Sequence, residues 1–235
     1  MTLFIVSTPI GNPDDITLRA LKTLETVDFI ICEEFKNGQR FLKQHKILKE
    51  IFTLNEHNEK TEATFILSML LKGKNAALIS DNGTPVFADP GNHLVSMCHQ
   101  AKIKVSPVPG ASSLLSAIAV AGVDFNQFYY AGFLSRKSEA RRKEIRSFQT
   151  MCCPVIIYDT PYRLLQVLKD MQSEIQDRRM ITILFSMTKE DEMILKGYLT
   201  DLLKKLTKNP LKQEFVIILE PSMKKQRAHM LNKHR

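Results

Sequence analysis

Ala76-Ala77-Leu78-Ile79-Ser80-Asp81-Asn82-Gly83-Thr84-Pro85-Val86-Phe87-Ala88-Asp89-Pro90-Gly91 is the stretch on which the reading of this chain turns. An apolar run of strand length, 76–80, passes directly into a loop holding two aspartates, two glycines and two prolines. Glycine opens conformations closed to other residues and proline fixes φ, so such a loop is stiff and can present backbone N–H and C=O groups to a polar ligand. A pair of ordinary turns capped by Asp has the same composition, and the stretch alone does not separate the two.

Two further loops of the same build lie on either side in sequence. Ser7-Thr8-Pro9-Ile10-Gly11-Asn12-Pro13 continues from an apolar run at 3–7, and Pro107-Val108-Pro109-Gly110-Ala111-Ser112-Ser113 continues from a strand candidate at 104–108. Neither contains a GxGxxG or Walker pattern, so neither points to a dinucleotide or a nucleoside triphosphate. The third loop enters a helix at 112–121, whose first N–H groups are free to meet a carboxylate or carbonyl. Each loop alone reads equally as a capped turn. Together, after three strands of one parallel sheet, they fall along the edge where such sheets bind ligands.

The periodicity supports that sheet. Strands are predicted at 3–7, 29–32, 51–54, 76–80 and 104–108, alternating with helices at 18–24, 38–45, 63–71, 94–99 and 112–121. Strand and helix in alternation predict an α/β fold with a mostly parallel sheet covered on both faces. The character changes near 122–127. Beyond it come strands at 128–133, 155–158, 181–185, 193–196 and 215–219, and helices at 139–148, 162–171 and 199–206. The strand at 193–196, followed by Gly197, is expected to pair antiparallel with its neighbours. Lobes at 1–122 and 123–221 follow, with a basic tail at 222–235 expected to be mobile.

Composition sets the outer bounds. The 235 residues carry a formal net charge of +8 and a pI near 9.3, which suits a polyanionic partner such as nucleic acid. No apolar run approaches the roughly 20 residues of a membrane span, and residues 1–7 read as a strand and not as a signal peptide. Cys32, Cys98, Cys152 and Cys153 form no CxxC pair and have no histidine at zinc-ligand spacing, so no metal site is expected. Cys32, Cys152 and Cys153, beside apolar runs, are expected to be buried thiols in a reducing cytoplasm. The densest positive charge is Arg136, Lys137, Arg141, Arg142, Lys143 and Arg146. Arg136, Lys137, Arg141 and Arg142 are the candidate nucleic-acid contacts, weighed against a solvated charged helix.

The motifs, taken in order, resemble the tetrapyrrole methylase superfamily, and within it the branch that methylates a cytidine ribose of 16S ribosomal RNA. The residues that carry the resemblance are Thr8-Pro9-Ile10-Gly11-Asn12 with Asp15-Ile16-Thr17-Leu18-Arg19-Ala20-Leu21, then Ser80-Asp81-Asn82-Gly83-Thr84-Pro85 with Asp89-Pro90-Gly91. Pro109-Gly110 with Ser112, Gly132-Phe133-Leu134 with Arg136-Lys137, Tyr158 with Pro161 and Arg163, Thr188-Lys189 and Glu214-Phe215-Val216 complete the series. It implies a two-lobed α/β fold with a cofactor cleft between the lobes, a homodimer, and S-adenosylmethionine as cofactor. The cofactor contacts it implies are Pro9, Ile10, Gly83, Thr84, Phe87, Ser112 and Ser113, with Tyr158 as a further wall. It also sets His57 near the substrate.

The chain departs from the family pattern at three places. Glu33-Glu34-Phe35-Lys36 stands where the family has Glu-Asp-Thr-Arg, Phe185-Ser186-Met187 where it has Arg-Glu-Leu, and Ser135 where it has Pro. Lys36 lacks the bidentate fork of an arginine. A ribose hydroxyl needs its proton accepted or oriented, and Glu33, Glu34, Asp81 and Asp89 are the carboxylates at strand ends. Glu34 and Asp81 are the candidate catalytic residues. Two other readings remain open at this point: the same fold acting on a tetrapyrrole or other small acceptor, and a cofactor- or RNA-binding protein without turnover.

Overall fold

The computed structural model describes residues 1–176 and 178–221, so the basic tail anticipated at 222–235 lies outside the described residues. The chain divides into two compact units, one over Met1–Ser113 and one from Leu114 onward.

The first unit runs β1 (Thr2–Val6), α1 (Leu18–Thr26), β2 (Phe29–Cys32), α2 (Phe35–Gln44), β3 (Glu50–Thr53), α3 (Glu59–Leu71), β4 (Ala76–Ile79), α4 (Asn92–Gln100) and β5 (Lys104–Val108). Its strands lie in the order β3-β2-β4-β1-β5, and every pairing is parallel. Side chains alternate across the sheet as a pleated strand requires. Leu3, Phe29, Ile31, Ala76 and Leu78 meet Ile66, Leu70, Leu94 and Cys98 of α3 and α4. Val6, Ile30, Cys32, Ala77, Ile79 and Val108 meet Ala20, Leu24 and Leu42 of α1 and α2. Both faces are covered, which is why these strands read as continuous apolar runs.

The second unit runs from α5 (Ser113–Val120) through β6 (Tyr129–Phe133), α6 (Ser138–Ser147), β7 (Val155–Asp159), α7 (Leu164–Glu174), β8 (Met180–Phe185), β9 (Met193–Tyr198), α8 (Leu199–Lys208) and β10 (Phe215–Leu219). Its sheet has the order β6-β7-β10-β8-β9. Only β6 and β7 are parallel; the pairs β7–β10, β10–β8 and β8–β9 are antiparallel. The mostly parallel sheet expected of the first half of the chain is the sheet of the first unit. The antiparallel pairing of β9 is as expected. Ile157, Ile183, Phe185, Phe215 and Ile217 face α6, α7 and α8. Ile156, Leu184, Val216 and Ile218 face Ala117 and Ala121. That contact places α5 with the second sheet, so the division between units falls after Ser113 and not near 123.

Candidate active site

In the first sheet β2 and β4 are neighbours, but the chain leaving β2 continues to β3 on one side while the chain leaving β4 continues to β5 on the other. Connections that diverge in this way open a crevice at the carboxyl ends of the two strands. The residues that follow β2 and β4 are Glu33-Glu34 and Ser80-Asp81.

The loops after β1, β4 and β5 are tied together by short contacts. Thr8 N donates to Gly83 O at 2.9 Å, and Thr8 Oγ1 donates to Ser80 O at 2.9 Å and to Gly83 O at 3.3 Å. Ser7 N donates to Val108 O at 3.2 Å, Ser7 Oγ and Thr84 Oγ1 are 2.9 Å apart, and Thr84 Oγ1 donates to Ala111 O at 3.2 Å. Gly83, at φ +83°, has no room for a side chain: a Cβ there would lie 2.9 Å from Ile10 Cγ2 and 3.9 Å from Ser112 Cα. At Gly110 a Cβ would lie 3.0 Å from Ser7 Cβ. The far end of the long loop is fixed by Glu59 Oε1, which accepts from Gly91 N at 2.7 Å and His93 N at 3.2 Å. Val86 sits at φ +73°, a conformation costly for a β-branched residue and of the kind that clusters at ligand sites. The next residue, Phe87, is 47% exposed.

The structure thus brings Ile10, Gly83, Thr84 and Ser112 together in one cradle. Pro9 is half-buried next to Ile10, Phe87 stands exposed on the same loop, and Ser113 opens α5. Tyr158 is in the second unit, 9% exposed at the end of β7, with the rings of Tyr130 and Phe133 edge-on to it at 5.3 and 5.8 Å.

Negative charge gathers at the crevice. Burial pushes the Glu33 carboxyl above its ordinary range, and the charges of Asp89, Asp81, Glu56 and Glu34 push it further. Burial, then Asp81, Glu34 and Glu33, push the Cys32 thiol up to about 12, so it stays protonated and is no nucleophile. Asp89 is raised by burial against an opposing hydrogen bond from Ser80. Glu34 stands at the head of α2 without a capping bond from its side chain, and its exposed carboxylate is free for other chemistry. Asp81 Oδ2 accepts from Asn37 Nδ2 at 2.6 Å. Sequence reasoning missed Asn37, Ser7 and Thr8 as fixing groups. Asn37 lies in the first turn of α2 and reaches Asp81 in the loop after β4, and only the strand order brings the two together. His57 is exposed in the turn before α3, its N–H accepted by Asn55 Oδ1.

Two expectations are corrected in the second unit. Arg141 is 4% exposed, and its guanidinium pairs with the buried Asp170 carboxylate at 2.7 Å, so it belongs to the core and not to an outer nucleic-acid surface. It shares one helical face with Ile145 and Phe148, at i+4 and i+7, and so must point inward. Arg136, Lys137 and Arg142 remain exposed. Cys152, expected to be buried, is exposed, because it lies in the turn ahead of β7 and not within the strand. Phe185, at the position of the family's arginine, is fully buried against Phe215. No group of metal ligands occurs among the described residues, and no helix there is long and apolar enough to cross a membrane.

Residues 2–203 match the family model of the tetrapyrrole (corrin/porphyrin) methylases. The chain belongs to this family. It is 39% identical over 220 residues to the ribosomal RNA small subunit methyltransferase I of Haemophilus influenzae, covering 93% of this chain and 78% of that protein. It is 38% identical to the protein of that name from Escherichia coli O157:H7, over 93% of this chain and 77% of the relative. It is also 38% identical to the one from Thermotoga maritima, over 92% of this chain and 97% of the relative. Among solved structures, diphthine synthase superposes with a TM-score of 0.73 at 16% identity, covering 94% of this chain and 90% of that one. A cobalt precorrin-4 methyltransferase superposes at 0.66 and 16%, covering 93% and 94%. At such identities these structures speak to the fold.

Proposed function

We propose that this chain is an S-adenosylmethionine-dependent methyltransferase that methylates the 2′-hydroxyl of a cytidine ribose in 16S ribosomal RNA, working as a homodimer in the cytoplasm. The observation that carries the reading is the identity of 38–39% over more than nine-tenths of the chain to proteins named for that RNA subunit. The tied loops of the first unit support the cofactor. An amino-acid nucleoside needs hydroxyls and backbone amides for its polar end and an apolar surface for its base. The exposed Thr84 hydroxyl and the exposed Phe87 ring offer both kinds of contact.

The cofactor supplies a methyl group already activated on its sulfonium. The chain's part is to hold it, align the acceptor and manage one proton. Alignment alone accounts for about 7–11 kcal/mol of such a barrier. Pro9, Ile10, Gly83, Thr84, Phe87, Ser112, Ser113 and Tyr158 hold the cofactor in this reading. Glu34 or Asp81 accepts or orients the ribose proton, and Arg136, Lys137 and Arg142 meet RNA phosphates. Removing a general base costs about 10²–10⁴-fold. Single-turnover transfer by Glu34→Gln and Asp81→Asn, with cofactor affinity measured in parallel, tests the assignment: at least one rate falls by that order while cofactor binding is retained. Wild-type rates in both variants would remove these carboxylates from the mechanism. Offering a uroporphyrinogen beside small ribosomal subunits tests the acceptor, and transfer to the tetrapyrrole alone would overturn the RNA reading.

A further inference from the structure

The arginines of α6 are largely neutralised. Arg141 Nη2 meets Asp170 Oδ2 at 2.7 Å, Arg142 Nε meets Asp170 Oδ1 at 3.1 Å, and Arg146 Nη2 meets Glu174 Oε2 at 2.7 Å. Among the described residues, no ion pair holds Arg136 or Lys137 in the loop ahead of the helix, and both are exposed.

That loop is held with unusual thoroughness. Arg141 Nη1 donates to the carbonyls of Ser135 at 3.0 Å and Arg136 at 3.1 Å. Arg163 Nη2 donates to those of Leu134 at 3.0 Å and Ser135 at 2.8 Å. Asp170 aligns the first guanidinium, and Asp159 Oδ1, 3.3 Å from Arg163 Nε, aligns the second. On the N–H side, Glu144 Oε2 accepts from Ser135 N at 3.1 Å, and Ser135 Oγ accepts from Lys137 N at 3.3 Å. A guanidinium is a rigid planar fork of donors. Two such forks turned on three consecutive carbonyls fix the peptide planes between them. Burying an arginine carries a desolvation cost that core packing alone would avoid.

We infer that Arg163 and Arg141 are positioning residues, which hold Ser135-Arg136-Lys137 in one geometry so that Arg136 and Lys137 meet the phosphate backbone of the RNA. The inference rests on the RNA reading above for its partner. A cation held in place loses less conformational freedom on contact, which strengthens binding without adding charge. Phosphate contacts of this kind set register on the nucleic acid without reading its sequence.

Binding to small ribosomal subunits, prepared from a strain lacking this protein, is measured over a series of KCl concentrations. The double variant Arg136→Ala/Lys137→Ala lowers the slope of log affinity against log salt by about 0.7–0.9 per lost contact. Arg163→Lys keeps the charge but loses the fork, and weakens binding about two- to tenfold. In the double-variant background the same change has no further effect, because the loop has nothing left to position. Glu144→Ala gives the sharpest contrast. Removing a negative charge beside a phosphate site tightens binding on electrostatic grounds alone, whereas loss of the Ser135 latch weakens it. Weaker binding by Glu144→Ala, with cofactor affinity unchanged, supports the inference. Tighter binding, or an Arg163→Lys effect that multiplies in the double-variant background, overturns it. Glu144 is exposed, so its variant decides the matter even if Arg163→Lys fails to fold. Wild-type protein that does not bind subunits at all would overturn the RNA reading, a result distinct from a bound wild type with indifferent variants.

Discussion

In the first unit, the loops after β1, β4 and β5 are joined by backbone amides and by the hydroxyls of Ser7, Thr8 and Thr84, with glycine where backbones approach most closely. In the second, the loop after β6 is held by two long cationic side chains reaching from α6 and the turn before α7, each anchored on a buried aspartate. Short neutral groups make a cradle that tolerates no added atom. Long charged groups make a support that tolerates no lost partner. The two regions should therefore fail in opposite ways, the first by gain of a carbon and the second by loss of a charge.

The largest effect follows from breaking the second kind of support. Asp170→Ala leaves the buried Arg141 guanidinium without its counter-ion and costs about 3–5 kcal/mol, read by chemical denaturation. Burial opposes the Asp170 charge, yet the hydrogen bonds from Arg141, Arg142 and Gln166 hold its carboxyl below the ordinary range. A depressed carboxyl stabilises the fold above its unfolded value of about 3.9, and that contribution is lost as pH falls through the lower folded value. Wild-type stability should thus lose this contribution progressively as pH falls below about 4, and Asp170→Asn should flatten that acid limb. An acid limb unchanged in Asp170→Asn would place it elsewhere.

A smaller effect tests the first region. Gly83→Ala forces a side chain into left-handed backbone, at about 1–2 kcal/mol, and against Ile10. That strain is carried with or without cofactor and lowers stability; the dissociation constant for S-adenosylmethionine should rise as well, because the added carbon pushes Ile10 out of place in the cradle. An unchanged constant would take Gly83 out of the cofactor cradle. Thr8→Val removes the donor to Ser80 O and Gly83 O and should cost about 1 kcal/mol of stability. Smallest of all, Arg146→Ala removes an ion pair whose arginine is 68% exposed, and should change stability by less than about 1 kcal/mol. A loss like that of Asp170→Ala would erase the distinction between buried and exposed pairs on α6.

The sequence shows most where one side chain decides locally. Phe29–Cys32 and Phe215–Leu219 are legible to the residue, because each is an apolar run bounded by charged residues. Helix starts are less legible. Gly38 reads as a helix beginning, but it lies inside α2, where a Cβ would fall 2.6 Å from Cys32 Sγ. The first turn of α3, with Glu59 and Glu62, is polar and hides a helix that begins before its apolar stripe. In the second sheet only the direction of β9 is legible; β7, β8 and β10 are buried on both faces, and such strands look the same in either orientation. The cradle loops were legible as stiff turns, while their mutual hydrogen bonds depend on which strands are neighbours. Arg141 looked like its charged neighbours. The stripe it forms with Ile145 and Phe148 was the available signal, and Asp170, on the inner face of α7 between Val167 and Met171, completes it.

The most direct test is methyl transfer from labelled S-adenosylmethionine to small ribosomal subunits isolated from cells lacking this protein, with the product nucleotide mapped. The account predicts one labelled 2′-O-methylcytidine in 16S RNA. Cofactor binding with no methyl delivered to the subunits would contradict it.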